Sequence, residues 1–376
     1  MPIRLLITAR DVAAAHHLIQ VARAAAHDAR FSISIAAQDP AARHFAAAGL
    51  RFEQVPAAAA TGPGDPAAGV VRSAARALLE RVRPDAVLVG LSTPFDAGLD
   101  EAILAETTVP SSLLQDFWGE QNLLFGRGAD QILGIDVQAS ERNAERYHVP
   151  TVIVGSPRHA AYAALDIAAI RAHARAAIGA TGATTVVGFF GQALHSLPGY
   201  QRTIEQFIAS AAGMEATVLL RPHPREGDEQ RRQTEALFAK SGLALVLDCS
   251  ADVESALAAC DVAVSLFSIC TFDASYLNRF SPQPVAVPMS LLFDQEIADY
   301  CRQHGNYIDF SHHTLGLVTP VYNAAELPHA LRLAATPEAR RDAWSRAHRH
   351  LPDPRQAPGR VLDAIAAQVR DRAATS

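Results

Sequence analysis

Short apolar runs alternate with longer alanine-rich stretches along most of the chain. The runs resemble strands buried on both faces of a parallel sheet, and the stretches between them have helical spacing. In the first half this pattern predicts strands over Ile3–Ile7, Phe31–Ala36, Arg51–Val55, Ala86–Val89, Ser112–Leu114 and Thr151–Val154. It predicts helices there over Val12–Ala26 and Val70–Arg83. The segment 57–68, between the third strand and the second of these helices, is rich in Ala, Gly and Pro, and we expect it to be a flexible surface loop.

The second half repeats the alternation. The predicted strands are Thr185–Phe190, Ala216–Leu220, Ala244–Leu247, Val262–Ser265 and Pro284–Val287. The predicted helices are Tyr200–Ala212, Asp228–Lys240, Val253–Ala259, Thr271–Leu277 and Gly359–Ala374. This order predicts an α/β fold of two tandem Rossmann-like domains, 1–155 and 156–355, followed by a C-terminal helix over 356–376. We expect the ligand site in a cleft between the domains.

Composition narrows the function. The net charge is −6 and the arginines are scattered, which argues against nucleic acid as a partner. No apolar run reaches the roughly 18 residues of a transmembrane helix, so we predict a cytoplasmic protein without a transmembrane segment. The single lysine, Lys240, is misplaced for a phosphate-binding P-loop. The four cysteines form no C-x-x-C pair and are predicted to be reduced, buried thiols: Cys249, Cys260, Cys270 and Cys301.

Two segments of the second domain have the chemistry of a phosphate site. Arg221 and His223 directly follow a predicted strand, on a turn made rigid by two prolines, and both can donate hydrogen bonds to a phosphate or ribose. The alternative is a turn whose histidine satisfies local backbone groups. The other segment opens a helix, whose N-terminus favours an anion. There Ser268 can cap the helix, and further contacts are predicted from Ser265, Thr271 and Asp273.

A third segment, Gly188–His195, also follows a strand. Gly191 permits close approach of the backbone to a ligand, and Gln192 and His195 are further candidates for substrate binding. We leave open whether His195 is simply a surface histidine.

In the first domain, Arg10 and Asp11 follow the opening strand, and His16 lies one turn into the first helix. Asp11 is either a helix cap or a general base, and Arg10 and His16 are candidate substrate ligands. Sequence patterns for a dedicated metal or dinucleotide site are lacking, so we predict neither a metal nor a cofactor.

A second acidic loop, Gln115–Asn122, combines carboxylates, amides and an indole. Asp116 and Glu120 are candidate catalytic bases, while Trp118 could stack on a sugar ring and Asn122 could bind substrate. The alternative is a solvated loop with Trp118 packed into the core.

Several of these segments resemble the GT-B superfamily of glycosyltransferases and the related UDP-N-acetylglucosamine 2-epimerases. The resemblance lies in Arg83–Gly90, Val152–Pro157, Arg221–Pro224, which is similar to the histidine-proline turn of bacterial sialyltransferases and polyol-phosphate transferases, and Ser268–Asp273. It implies that the second domain binds a nucleotide-sugar, for which a UDP-sugar is expected, and that the first binds the acceptor. It also implies that the last helix can pack back on the first domain.

The epimerase pattern is matched less well. The position of that family's acidic residue falls near Gln115, which is neutral, and the arginine expected after Glu120-Gln121-Asn122 is missing. We therefore predict metal-independent transfer of a sugar from a nucleotide-sugar to a small-molecule or glycan acceptor. A nucleotide-sugar 2-epimerase or hydrolase, and a non-catalytic nucleotide-sugar binder, remain the alternatives. A homodimer is left open.

Overall fold

The computed structural model describes residues 1–248, 250, 252–303 and 310–375. Within these ranges the strands form two all-parallel sheets. The strands are β1 (Ile3–Ala9), β2 (Phe31–Ala37), β3 (Glu53–Gln54), β4 (Ala86–Gly90), β5 (Ser111–Leu114), β6 (Gln131–Gly134), β7 (Thr151–Ile153), β8 (Thr185–Phe190), β9 (Ala216–Arg221), β10 (Ala244–Leu247), β11 (Val262–Ser265), β12 (Val287–Leu291) and β13 (Thr319–Val321). Their spatial order is β3-β2-β1-β4-β5-β6-β7 in one sheet and β10-β9-β8-β11-β12-β13 in the other.

Helices connect nearly all of the strands, as parallel pairing requires. They are α1 (Val12–Ala26), α2 (Ala41–Ala47), α3 (Pro66–Val82), α4 (Leu99–Glu106), α5 (Val137–Tyr147), α6 (Ile167–Ala177), α7 (Pro198–Ala211), α8 (Asp228–Ala239), α9 (Val253–Ala259), α10 (Ile269–Phe280), α11 (Gln295–Gln303), α12 (Ser311–Thr314), α13 (Leu327–Ala334), α14 (Pro337–His350) and α15 (Ala357–Thr375). The predicted α/β class with two sheets is confirmed.

The chain divides into two compact units. Unit 1 comprises Met1–Ala163 and the chain from Pro352 onward, and unit 2 comprises Ala164–Leu351. The chain thus passes from one unit to the other after Ala163 and after Leu351, whereas the predicted boundaries are 155 and 355.

Unit 1 is built around the seven-stranded sheet. Leu5, Leu6 and Ile7 of β1 are completely buried because helices cover both faces. The C-terminal helix α15 belongs to this unit: Val361 and Ile365 join the core formed by α1 and β1. The Gln368 side chain bonds to β5, where its Oε1 accepts from Ser112 Oγ at 3.1 Å.

Unit 2 has an aromatic core on the six-stranded sheet. The rings of Phe189 and Phe207 lie 4.9 Å apart between centroids, and Phe238 packs against both. All three side chains are fully buried, so this cluster fixes α7 and α8 on the sheet.

A buried ion cluster also holds helices of unit 2 to the sheet. Asp261, at the start of β11, accepts from Arg171 at 2.6 Å, Arg175 at 3.1 Å and Arg340 at 3.0 Å. It also accepts the Val186 backbone N–H at 2.9 Å. One carboxylate therefore ties α6 and α14 to the sheet.

The sequence pattern missed two short strands, β6 and β13, and placed β12 too early. Each missed strand has only three or four residues, so its apolar run is too short to stand out. The segment 57–68, predicted to be a flexible loop, is ordered at both ends: Ala60 forms a two-way backbone bridge with Ala97, and α3 already begins at Pro66, capped by Asp65. Cys260, Cys270 and Cys301 are buried, and Cys249 lies outside the described residues.

Candidate functional site

Three loops of unit 2 leave neighbouring strands at the same edge of the sheet. They follow β8, β9 and β11, which occur in the spatial order β9-β8-β11. Because ligands of open parallel sheets gather beyond the carboxyl ends of the strands, these loops form a candidate binding site. They contain Gly191, Gln192, His223 and Ser268 among the predicted residues.

His223 is held as a neutral hydrogen-bond donor. Burial, helped by the charge of Arg225, lowers the pKa of His223 to about 4. Its Nδ1 atom lies 3.1 Å from the Arg225 backbone nitrogen, which donates to it. A neutral imidazole that accepts at Nδ1 carries its proton on Nε2, so the outer nitrogen of this ring can donate to a ligand.

Gln192 bridges two of the loops. Its backbone N–H donates to Tyr200 Oη at 2.9 Å, and its side-chain Oε1 accepts from the Phe267 N–H at 3.0 Å. With the oxygen committed in this way, the Nε2 amide is the end that has no acceptor among the described residues. The bond from the Phe267 N–H to Gln192 Oε1 therefore fixes the direction of the Gln192 Nε2 amide, the second hydrogen-bond donor of the site.

The N-terminus of α10 supplies the third element. Ser268 is the N-cap, and its Oγ accepts from the Cys270 N–H at 3.3 Å. No acidic side chain lies in the first turn of this twelve-residue helix, so its positive dipole end is not neutralised there. Ser268 is half-buried and borders the Phe267 backbone held by Gln192.

Three other predicted nucleotide ligands are committed to the fold. Ser265 is fully buried and its Oγ donates to the Phe190 oxygen at 2.6 Å, while Thr271 donates to the Ser268 oxygen at 3.0 Å. Asp273 lies beyond the first turn of α10 and is only 1% exposed. The prediction that these side chains contact the nucleotide is therefore corrected: Ser265 is buried at the end of β11, and Thr271 and Asp273 are buried in α10.

Arg221 and His195 also have structural partners. The Arg221 guanidinium forms an ion pair with Asp248 and bonds Ser250 Oγ at 3.0 Å, which ties the end of β9 to the end of β10. His195 Nε2 lies 2.9 Å from Thr234 Oγ1, and the ring packs edge-on against Tyr200. Both predicted ligands act here as supports for the loops.

In unit 1, three acidic side chains gather at the carboxyl edge of the sheet. Asp11 is at the N-cap position of α1 but makes no capping bond; its Oδ2 accepts the Thr93 N–H at 2.9 Å. Burial, together with the nearby charges of Asp11 and Glu120, raises the pKa of Asp116 to about 8. Asp116 therefore keeps its proton at neutral pH.

The loop after β4 is held by Arg10 and Asn122. Arg10 is 7% exposed, and its guanidinium binds the Asp96 carboxylate at 2.7 Å. Both Arg10 and Asn122 also donate to backbone oxygens of this loop. The prediction that they bind substrate is corrected, because their polar groups are used within the protein.

Trp118 and His16 differ in their surroundings. Trp118 is completely buried and its indole N–H donates to Asp136 at 2.9 Å, so the predicted stacking on a sugar is replaced by core packing. His16 is half-buried, with its ring 4.8 Å from that of His44.

Sequence reasoning missed two groups of buried acids. Asp100 accepts from Thr8 Oγ1 at 2.5 Å and from the Arg10 N–H at 3.0 Å, and burial next to Glu101 raises its pKa to about 8. In unit 2, Glu226 accepts from the His223 N–H at 3.0 Å. The adjacent acids in the first turn of α4 and the acid ending Arg221–Glu226 resemble surface residues in sequence, so only packing identifies them.

None of the described helices has the length and apolarity needed to cross a membrane. Likewise, no group of three or more histidine, cysteine, aspartate or glutamate side chains in the described ranges is arranged to hold a metal ion.

Comparison with known proteins bears on the fold and on unit 2. The profile of the CDP-Glycerol:Poly(glycerophosphate) glycerophosphotransferase family matches residues 193–365. None of the curated proteins matches the chain in sequence.

Solved structures match the chain over nearly its full length. UDP-GlcNAc 2-epimerase from Neisseria meningitidis, bound to UDP-GlcNAc, is 12% identical with a TM-score of 0.68, covering 97% of this chain and 100% of the other. MurG from Acinetobacter baumannii is 13% identical (TM-score 0.56), and HepE from Anabaena, in complex with UDP and glucose, is 13% identical (TM-score 0.62). Each match covers 97% of this chain and 100% of the other. The predicted relation is confirmed at this level: the chain has the fold of the GT-B glycosyltransferases and the UDP-GlcNAc 2-epimerases.

Proposed function

We propose that the protein is a glycosyltransferase that binds the phosphates of a nucleotide-sugar donor at unit 2 and transfers the sugar to an acceptor hydroxyl. The observation that carries the proposal is the set of donors on neighbouring loops: the Nε2–H of His223, the Nε2 amide of Gln192 and the N-terminus of α10. All are neutral or positively polarised, which suits a diphosphate.

These groups would act on the leaving group. As the bond between the sugar carbon and the phosphate oxygen breaks, the electron pair and negative charge pass to the departing nucleotide. Donors fixed before the reaction stabilise this charge, and removal of one such donor typically costs about 10²–10³ in rate. His223 is suited to this role because its proton stays on Nε2 throughout the neutral range.

The acceptor hydroxyl must lose its proton as its oxygen bonds the sugar carbon. Of the three predicted bases, Asp11 fits better than Asp116, because Asp116 already holds a proton at pH 7. Asp11 is half-buried, and one of its oxygens is fixed by the Thr93 N–H.

The epimerase alternative has less support from unit 1. Gln115, near the position of that family's acidic residue, is buried and forms a reciprocal amide pair with Asn143, with both bonds at 2.9 Å. An amide is neither an acid nor a base near neutral pH, so Gln115 cannot perform the proton transfer of an epimerisation, which favours sugar transfer.

A second candidate is transfer of glycerol phosphate from a CDP-linked donor. It is favoured by the match of residues 193–365 to the glycerophosphotransferase family. The same hydrogen-bond donors would bind the phosphates of CDP-glycerol. The bond broken would be the phosphorus–oxygen bond between the two phosphates, with CMP as the leaving group.

Calorimetric titration of the full chain with UDP, CDP, GDP and TDP tests the donor site. We expect one nucleotide to bind, and His223→Ala to weaken it by about tenfold or more, since a hydrogen bond to a charged group contributes about 1.5–3 kcal/mol. His329→Ala, an exposed histidine on α13, is the matched control. If His223→Ala stays within twofold of wild type, the site assignment is wrong.

Incubation of the matching donor then separates the candidate reactions. A transferase leaves the donor intact until an acceptor is added, whereas an epimerase or hydrolase converts it alone. CDP-glycerol is tested beside the nucleotide-sugars, and consumption of it alone among the donors would favour glycerol phosphate transfer.

A further inference from the structure

The turn that carries His223 is closed by Glu226 through two hydrogen bonds. The Glu226 N–H donates to the His223 oxygen at 2.9 Å, and the His223 N–H donates to Glu226 Oε1 at 3.0 Å. Glu226 is 7% exposed, whereas its neighbours Pro224 and Arg225 are exposed. A carboxyl group is thus buried directly behind His223, the residue proposed to donate a hydrogen bond to the phosphate.

The loop after β8 leaves room for this carboxyl. A Cβ atom at Gly191 would lie 2.9 Å from Glu226 Oε1, 3.2 Å from Tyr200 Oη and 3.3 Å from the His223 nitrogen. Even alanine at 191 would therefore crowd the carboxyl. Tyr200 in turn holds the Gln192 N–H, so the same pocket supports both donors.

Burial raises the pKa of Glu226, and Oε2 has no partner among the described residues. The Arg231 charge partly opposes this shift and that of Glu235 adds to it. The amide of glutamine has the same shape as this carboxyl and also offers one oxygen to the His223 N–H. The geometry of the turn therefore depends on the Oε1 acceptor and on the shape of the side chain.

We propose that Glu226 is a positioning residue: its buried carboxyl fixes the backbone of His223 so that the Nε2–H points to the donor phosphate. The inference rests on the proposed function and adds a residue to it. Glu226 acts through the turn, because its side chain is buried and its Oε1 lies between the His223 N–H and the Gly191 backbone. Its effect on binding must therefore pass through His223.

A double-mutant cycle on the full chain tests this path. Binding of the nucleotide identified above is measured for Glu226→Ala, His223→Ala and the double variant. We expect about a tenfold loss for Glu226→Ala, and a double variant within twofold of His223→Ala, because there is no histidine left to position. Additive losses would overturn the proposal.

Glu226→Gln and Glu229→Ala are the matched variants. The glutamine keeps an oxygen for the His223 N–H and should restore affinity to within threefold of wild type. Glu229 is exposed on α8 and pairs with Arg232, so its removal should leave binding unchanged. Thermal unfolding of each variant shows that it is folded.

The tautomer of His223 provides a readout that does not need a nucleotide. Ring nitrogen NMR shifts, assigned by their loss in His223→Ala, should show one neutral Nε2–H tautomer in wild type and in Glu226→Gln. Glu226→Ala should show a tautomer mixture. Unchanged ring nitrogen shifts in Glu226→Ala overturn the inference even if the nucleotide binds. If these shifts change as expected but no nucleotide binds, the result counts against the proposed function alone.

Discussion

Arg10 and Asn122 donate hydrogen bonds to the same two backbone oxygens, those of Thr93 and Asp96. The Asn122 bonds are 2.8 and 2.7 Å long and those of Arg10 are 3.2 and 2.7 Å. Asp11 accepts the N–H of Thr93, so the loop after β4 is fixed at its oxygens and at a nitrogen. Arg10 and Asn122, which were predicted to bind substrate, thus hold the loop that contacts the candidate base Asp11.

Removal of Arg10 should destabilise unit 1 strongly. Arg10→Ala leaves Glu101 buried without its ion-pair partner, and breaking a buried pair typically costs about 3–5 kcal/mol. Asn122→Ala should cost only about 1–3 kcal/mol, because it removes two hydrogen bonds but each oxygen keeps the Arg10 donor. Urea unfolding measures both. Arg43→Ala, on an exposed pair, is the control and should show no change; equal stability of Arg10→Ala and wild type would contradict the assignment.

Asp261 should be among the most sensitive positions of unit 2. Asp261→Asn leaves the three arginine side chains without their shared carboxylate, and we expect a loss of about 3–5 kcal/mol of unfolding free energy. Chemical denaturation monitored by circular dichroism gives the value. Glu338→Gln, which removes an exposed pair with Arg341, serves as the comparison and should leave the midpoint in place. A loss under 1 kcal/mol for Asp261→Asn would show that the cluster adds little.

Nucleotide affinity should not depend on protonation of His223 between pH 6 and 8. With a pKa of about 4 in the folded chain, the ring stays neutral over this range. Its unfolded pKa is 6.5, so below pH 6.5 the unfolded chain binds a proton that folded His223 does not. This contribution to stability is therefore lost as the pH falls from 6.5 toward 4, and His223→Ala should show a shallower loss.

Calorimetry at three pH values and denaturation at pH 5 and 7.5 check these two statements. Binding that strengthens steeply below pH 7 in wild type but not in His223→Ala would mean that the charged imidazole is the ligand.

Asp116 should have the opposite effect on stability. Its pKa rises from 3.8 to about 8 on folding, so its contribution is complete below about pH 4 and is lost as the pH rises through 8. Asp116→Asn has no proton to lose and should become more stable relative to wild type between pH 5.5 and 8.5. Denaturation midpoints at these two pH values test this.

The Asp11→Asn variant is the companion measurement. It removes a neighbouring charge that raises the pKa of Asp116, so the drop in stability should end at a lower pH than in wild type and be smaller in total. A constant gap between wild type and Asp116→Asn across this range would show that Asp116 ionises normally.

Gly191→Ala should impair the nucleotide site without unfolding the protein. The added Cβ would stand 2.9 Å from Glu226 Oε1, closer than carbon and oxygen normally approach, so the His223 turn must shift. We expect at least a tenfold loss of nucleotide affinity by calorimetry. Gly227→Ala, where a Cβ meets nothing within 4 Å, is the control. Wild-type affinity in Gly191→Ala would show that the turn has room to spare.

The sequence by itself determined most of the strands, the helices next to the candidate site and the three loops that form that site. Apolar runs such as Thr185–Phe190 and Val262–Ser265 are long and β-rich enough to be recognised without a structure. The first helix, α1, has the predicted bounds, Val12–Ala26. Turn residues and strand ends then located Gly191, His223 and Ser268, because proline, glycine and a capping serine have local preferences.

The tertiary structure alone decided which polar side chains are available to a ligand. Arg10, Trp118 and Asp273 have the chemistry of site residues in the sequence, but packing buries each one. Glu226 stands in the sequence like any surface acid, and packing places it behind His223. Residue type fixes what a group can donate or accept; its direction and its pKa depend on neighbours distant in the chain, which local sequence does not specify.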